Sequence, residues 1–195
     1  MTSGQNWTAF LGTRCIAAGA REMVARAVKQ AHDEGVDRPV IIIDDATGRQ
    51  LDLDLRGSAD DVVSRIAQDA DTHVDTAPRG RGRPRLGVTA REITLLPRHW
   101  DWLDQQPGGA SGSLRRLIDE ARTSRPYVRR QAQAVTDRFM TVFAGDLPHF
   151  EDATRALYAG EAAQFEGLIA DWPHDIRVHT RRLASAAFEE EDGDA

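Results

Sequence analysis

Cysteine is nearly absent from this chain of 195 residues, since Cys15 is the only one. A single cysteine excludes an internal disulfide, and chains without a disulfide framework are typical of reducing compartments. No apolar run approaches the roughly 20 residues that span a bilayer. The opening residues MTSGQNWTAF also have neither the basic nor the apolar region of a signal peptide. These absences predict a cytoplasmic protein that makes no membrane contact.

The sequence motifs of several enzyme classes are also missing. There is no phosphate-binding loop, no dinucleotide fingerprint and no nucleophile elbow, and the six histidines show no metal-ligand spacing. Four aspartates, at 44, 45, 52 and 54, flank a predicted tight turn, where a solvated hairpin is favoured over a carboxylate metal site. We therefore expect no catalytic residue, cofactor or metal, and an enzyme is the least favoured class of function.

What the sequence does have is positive charge concentrated in one place. The net charge is −6, yet residues 79–91 contain no acidic residue and five arginines, which are Arg79, Arg81, Arg83, Arg85 and Arg91. The rest of the chain therefore has a net charge of −11. Such asymmetry indicates a local role for the basic segment, such as contact with a polyanion or an acidic partner.

The first 70 residues predict a small α+β domain with the element order ββαββα. Apolar residues in WTAFLG, TRCIAAG, RPVIIIDD and RQLDLDLRG favour strands, the last two joined as a hairpin. The segments AREMVARAVKQAHDEG and GSADDVVSRIAQDA have helical periodicity, and Ser58 with Asp61 forms a capping box at the start of the second. Both strands and helices are present, so the predicted fold class is α+β.

The remaining chain divides by composition into four segments. Residues 71–87 lose all periodicity and are rich in proline, glycine and arginine, which predicts a linker. Residues 88–123 have the pattern of a strand, a helix, a glycine turn and a helix. Residues 124–188 predict a helical domain, and residues 189–195 an acidic tail.

The sequence RGRPR at residues 81–85 resembles the core of the AT-hook. Glycine adds no side-chain bulk and proline fixes φ, so such a backbone lies extended in a narrow groove. The resemblance implies that Arg81 and Arg83 enter the minor groove of A·T-rich DNA, with Arg79 and Arg85 on phosphates. The alternative is a solvated linker whose arginines touch no nucleic acid.

The segment REITLLPRHWDWLDQQPGGASGSLRRLIDEA, which follows, resembles a ribbon-helix-helix DNA-binding unit. The resemblance implies that Ile93 and Leu95 of the strand face the core, while Glu92 and Thr94 face outward. Helix A then begins at Pro97, and Ser111 caps helix B. The other positions implied are the apolar residues of helix A, Trp100 and Leu103, the turn glycines Gly108 and Gly109, and the core residues of helix B, Leu114, Leu117 and Ile118.

This resemblance implies a homodimer, because the strands of two protomers pair into one ribbon that enters the major groove. Ser111, Gly112 and Ser113 at the start of helix B would meet a phosphate. The segment departs from the pattern in being internal to the chain and in having the acidic Glu92 on the ribbon. The alternative is that REITLL completes the N-terminal sheet within one chain.

A second basic region follows the glycine turn. At helical spacing one face would contain Arg115, Arg122, Arg125 and Arg129, an arrangement that would follow phosphates. The alternative is an ordinary charged helix surface.

Three long stretches together give the chain a resemblance to a bacterial family catalogued as domain of unknown function 2239. They are IIDDATGRQLDLDLRG, PRGRGRPRLGVTAREITLLPRHWDWLDQQPGGAS and LYAGEAAQFEGLIADWP. This resemblance covers most of the chain and implies no activity.

Taken together, the sequence predicts a homodimeric protein that binds double-stranded, A·T-rich DNA, as a transcriptional regulator or a nucleoid-associated factor. The expected DNA contacts are Arg79, Arg81, Arg83, Arg85, Arg91, Thr94, Ser111, Gly112, Ser113 and Arg115. The alternative class is a protein-interaction module whose basic segment binds an acidic partner.

Overall fold

A computed structural model of the protein describes residues 6–36, 38–72 and 91–189. These residues form a mixed α+β structure, which confirms the predicted class. The elements are β1 (Asn6–Leu11), β2 (Arg14–Ala20), α1 (Arg21–Asp33), β3 (Val40–Asp44), β4 (Arg49–Leu51), α2 (Ala59–Thr72), α3 (Pro97–Asp104), α4 (Gly109–Thr123), α5 (Arg125–Ala144), α6 (Phe150–Ala159), α7 (Ala162–Leu168) and α8 (His174–Phe188). No helix among the described residues has an apolar stretch long enough to cross a bilayer.

The four strands form one antiparallel sheet in the order β2-β1-β3-β4. Trp7 of β1 lies opposite Gly19 of β2 on one side and Asp44 of β3 on the other. The register with β2 shifts between Ala9 and Phe10, as in a β-bulge. The ladder between β3 and β4 is short and runs only from the Asp44–Arg49 pair to the Ile42–Leu51 pair.

Both faces of this sheet are covered, and the side chains of β3 alternate strictly between them. Val40 and Ile42 belong to the apolar cluster formed with α1 and α2, whereas Ile41 and Ile43 belong to the cluster formed with the C-terminal helices. In β1, Phe10 is fully buried on the same side as Ile43. The period of two in a strand explains how one apolar run contributes to two cores.

The sheet and the C-terminal helices belong to a single compact unit. This unit, called unit 1 here, comprises the described residues of Met1–Ala67 and Val128–Ala195. The sequence alone placed residues 1–70 and 124–188 in separate domains. In the structure they share a core, because Phe10 and Ile43 pack with Phe139 and Ile176.

The turn between β3 and β4 lies against α5. Gly48 in this turn has a φ of +68°, and a Cβ atom there would collide with the backbone of Val135. The guanidinium of Arg138 donates a hydrogen bond of 2.7 Å to the carbonyl oxygen of Thr47. A glycine is therefore required here both by the backbone conformation and by the close approach of the helix.

The second compact unit, called unit 2 here, comprises the described residues of Gln68–Tyr127. Helix α3 begins at Pro97, as predicted, and a glycine turn leads to α4, with φ of +89° at Gly108 and +68° at Gly109. Residues 91–96 form no strand in the single chain. They also add no strand to the sheet, so the interpretation in which REITLL completes that sheet is wrong.

Candidate functional site

The basic arm, which is the arginine-rich segment of residues 79–91, lies outside the residues that the structure describes except for Arg91. Of the ten residues expected to contact DNA, Arg79, Arg81, Arg83 and Arg85 therefore lie outside the described residues. The end of the acidic tail, residues 190–195, also lies outside them. The expected contacts of these four arginines stay predictions. The candidate site is therefore built from Arg91 onward, in unit 2.

Three expected contact residues lie on the surface of unit 2. Arg91 and Thr94 are exposed in the stretch before α3, and Arg115 is exposed on α4. The Nε of Arg115 donates a hydrogen bond of 3.2 Å to the carbonyl oxygen of Ser111, and this guanidinium forms no ion pair with any described residue. These residues are accessible to an anionic ligand.

The start of α4 differs in detail from the prediction. The helix begins at Gly109, so Gly108 occupies the N-cap position and no side chain caps the helix. Ser111, expected to be the cap, instead lies exposed within the first turn. Gly108 and Gly109 both take up the left-handed conformation, and the helix begins three residues before the start that a cap at Ser111 would give.

The three residues expected to meet a phosphate here are not equivalent. Ser111 is exposed and Gly112 is half-buried, but Ser113 is only 1% exposed. The hydroxyl of Ser113 is buried without a hydrogen-bond partner among the described residues. Only Ser111 and Gly112 therefore remain at this surface, and a contact from the Ser113 hydroxyl is no longer expected.

The second basic region does not form one continuous helix face. Helix α4 ends at Thr123, and Ser124 has an extended backbone with φ −62° and ψ 139° before α5 begins at Arg125. The expected alignment of Arg115 and Arg122 with Arg125 and Arg129 assumed unbroken helical periodicity. The break at Ser124 separates the first pair from the second.

Apolar side chains are unusually exposed in unit 2. Leu103 of α3 is buried, but six other large apolar side chains among the described residues of unit 2 are exposed. The exposed set comprises Ile93 at 48%, Leu96 at 48%, Trp100 at 37%, Trp102 at 48%, Leu117 at 39% and Ile118 at 54%. Exposed apolar side chains that lie together form the kind of surface that a partner covers.

Unit 1 contains a buried polar cluster that sequence reasoning missed. Asp45, the residue that follows β3, lies 3.3 Å from Nε2 of His179 and 2.8 Å from the guanidinium of Arg182, both on α8. The hydroxyl of Thr8 donates to the same carboxylate over 3.0 Å. Asp45 and His179 have only 8% and 6% of their side-chain surfaces exposed. These contacts connect the sheet to α8.

The electrostatics of this cluster favour a charged carboxylate. Burial raises the pKa of Asp45, but hydrogen bonds from His179 and Arg182 outweigh it, so this pKa lies below its ordinary value. Nearby, burial and the charge of Asp175 raise the pKa of Cys15, so its thiol is protonated at neutral pH. The charged carboxylate of Asp45 thus holds α8 against the sheet. Cys15, in contrast, lacks the thiolate that a nucleophile needs.

No arrangement of metal ligands was found among the described residues. Asp44, Asp45, Asp52 and Asp54, which surround the β3–β4 turn in sequence, do not converge. Asp45 points to α8, whereas Asp54 forms ion pairs with Arg56 and Arg65. Each of these two carboxylates has a structural partner.

Comparison with known proteins identifies a family but no characterised relative. Nothing among curated proteins or solved structures matches the chain. One family model, described as an uncharacterized protein conserved in bacteria, matches residues 6–184 and therefore includes both units. The protein accordingly belongs to the bacterial family of domain of unknown function 2239.

Proposed function

We propose that this protein is a homodimeric DNA-binding protein that acts as a transcriptional regulator or a nucleoid-associated factor. The observation on which the proposal rests is the position of the basic arm. Five arginines at 79–91 directly precede two helices joined by the Gly108–Gly109 turn. In this proposal the arm enters the A·T-rich minor groove, and unit 2 contacts the adjacent backbone.

The exposed apolar residues of unit 2 support the dimer. In a ribbon-helix-helix arrangement residues 91–96 pair with the same residues of a second copy, and α4 packs against its counterpart. Ile93 and Ile118, now about half exposed, would then be buried. The absence of a strand at 91–96 in one chain is expected in this arrangement, because a lone strand has no partner for its backbone groups.

The charges of unit 2 favour contact with phosphates over sequence recognition. Arg91 and Arg115 are exposed, and no side chain caps the start of α4, where the N–H of Gly109 donates to the carbonyl oxygen of Gln106 over 3.2 Å. Glu92 is exposed beside Thr94 and would repel phosphates. We therefore propose that most of the affinity comes from the arm and the backbone contacts, with weak discrimination between sequences.

The test is the salt dependence of binding to a short A·T-rich duplex, measured by fluorescence anisotropy. Each neutralised phosphate contributes a slope of about −0.9 to a plot of log K against log salt. Arg81→Ala with Arg83→Ala should therefore reduce the steepness by about 2. The matched control is Arg14→Ala with Arg49→Ala, which removes two exposed arginines from unit 1 and should leave the slope unchanged.

Two outcomes would overturn the proposal. One is the absence of any duplex binding at low salt by the wild-type protein. The other is an equal loss of slope in the control pair, which would mean that binding depends on net charge rather than on the arm.

A protein-interaction module is the second candidate, favoured by the same exposed apolar surface. In this case Trp102 and Ile118 would be covered by a different protein and the basic segment would bind an acidic partner. Binding of an acidic polypeptide such as polyglutamate, but of no duplex, at equal ionic strength would favour this candidate.

A further inference from the structure

A cavity of about 240 Å³ lies in unit 1 between α1 and the open end of the β3–β4 ladder. Its apolar wall includes Val28 of α1, Ile42 of β3 and the half-buried Leu51 and Leu53. A concave space with an apolar wall and few polar groups is the usual form of a small-molecule site.

The cavity exists because β4 ends early. The sequence LDLDL continues the alternation of a strand from Leu51 to Leu55, but the ladder with β3 ends at the Ile42–Leu51 pair. Arg65 of α2 donates to the carbonyl oxygens of Asp54 and Arg56, which holds the chain on the α2 side. Val40 and Leu53 therefore line a gap instead of pairing.

The charged groups at this cavity have opposite signs. Arg38 and Asp52 both line it and are exposed, and neither forms an ion pair with any described residue. His32, in the last turn of α1, is the third ionisable group at the cavity. A ligand with a single negative or positive charge would meet both an attracting and a repelling group.

We propose that this cavity binds a small zwitterion with an apolar body, of the class of the aliphatic α-amino acids. The carboxylate lies at Arg38, the ammonium at Asp52, and the side chain against Val28, Ile42 and Leu53. A cavity of this volume suits a molecule of that size better than it suits a peptide or a nucleotide. This inference is independent of DNA binding and gives unit 1 a ligand of its own.

The probes are L-leucine and two molecules that keep its branched body, 4-methylpentanoate without the ammonium and 3-methylbutylamine without the carboxylate. Binding to the full chain is measured by saturation-transfer NMR. Charged hydrogen bonds contribute enough that losing either group should weaken binding about tenfold or more.

Two variants test which residue binds the carboxylate of the ligand and which binds its ammonium. Arg38→Gln should weaken the binding of L-leucine and 4-methylpentanoate about tenfold. It should not weaken the binding of 3-methylbutylamine, whose ammonium Arg38 repels. Asp52→Asn should weaken L-leucine and the amine by a similar factor and spare the acid. The control is Arg14→Gln, which removes an exposed arginine outside the cavity and should change nothing.

Three results would overturn the inference. They are no saturation transfer to L-leucine, equal affinity for the zwitterion and either single-charge probe, and an effect of Arg14→Gln as large as that of Arg38→Gln. Since both test residues are exposed, the variants are expected to fold, and a far-ultraviolet circular dichroism spectrum verifies this.

Discussion

The two units of this chain differ in how far they cover their own apolar surface. In unit 1 Phe10, Phe139 and Phe165 are fully buried, and both faces of the sheet are covered by helices of the same chain. In unit 2 Leu103 is the only large apolar side chain among the described residues that is fully covered, while Trp102 and Ile118 are about half exposed. The same chain therefore contains one unit with a complete core and one with an incomplete core.

This difference suits unit 1 to a structural role and unit 2 to the proposed binding role. The conformational entropy of folding must be offset mainly by apolar burial, and unit 1 has that burial within one chain. Unit 2 lacks it, and its surface has the arginines and exposed helix start that suit an anionic partner. We infer that unit 1 is stable alone, whereas unit 2 gains stability from a second copy.

The largest expected difference between the units comes from truncating one aromatic side chain in each. Phe10→Ala should lower the free energy of unfolding by about 3–5 kcal/mol, because Phe10 is fully buried between Phe139, Phe143 and His179. Trp102→Ala, measured at a protein concentration low enough for the chain to be monomeric, should lower it by less than about 1 kcal/mol. Urea denaturation followed by circular dichroism measures both. Equal losses would contradict the contrast between the units.

A smaller loss is expected from neutralising the buried carboxylate of unit 1. Asp45→Asn replaces an acceptor of bonds from Thr8, His179 and Arg182 with an amide that offers one acceptor only. The free energy of unfolding should fall by about 2 kcal/mol at neutral pH. Asp52→Asn, at an exposed position, is the control and should change it by less than about 0.5 kcal/mol.

The contribution of Asp45 should also depend on pH. The pKa of Asp45 is lower in the folded protein than its ordinary value, so its contribution is fully present above the unfolded pKa of about 3.9. It is lost as the pH falls through the folded pKa. The difference in unfolding free energy between the wild type and Asp45→Asn should therefore narrow below about pH 4. A difference that stays constant or widens in acid would contradict the assigned contacts.

Much of the local structure could be predicted from the sequence. Pro97 marks the start of α3, and Gly108 with Gly109 marks the turn before α4, because both residue types restrict or extend the allowed backbone conformations. The apolar run Val40–Ile43 also indicates that this strand is buried on both faces of the sheet. Both the odd-numbered and the even-numbered side chains of this run are apolar, which is typical of a strand with a helix layer on each face. This signal could have identified the shared core of the sheet and the C-terminal helices.

The polar cluster at Asp45 could not be predicted in this way. Asp45 and Arg182 are 137 residues apart, and no local pattern connects them. Asp45 has the sequence context of an ordinary turn residue and His179 that of a surface helix. The contact depends on how α8 packs on the sheet, which is a property of the tertiary structure.

The most direct test of the central claim, that a second copy completes unit 2, is the oligomeric state measured by sedimentation velocity. Ile118→Glu places a charge at the most exposed of the large apolar side chains described in unit 2, and Val178→Glu places one at a similarly exposed position of α8 in unit 1. We predict a dimer for the wild type and for Val178→Glu, and a monomer for Ile118→Glu. A wild-type protein that is monomeric at every concentration, or an Ile118→Glu variant that remains dimeric, would contradict the claim.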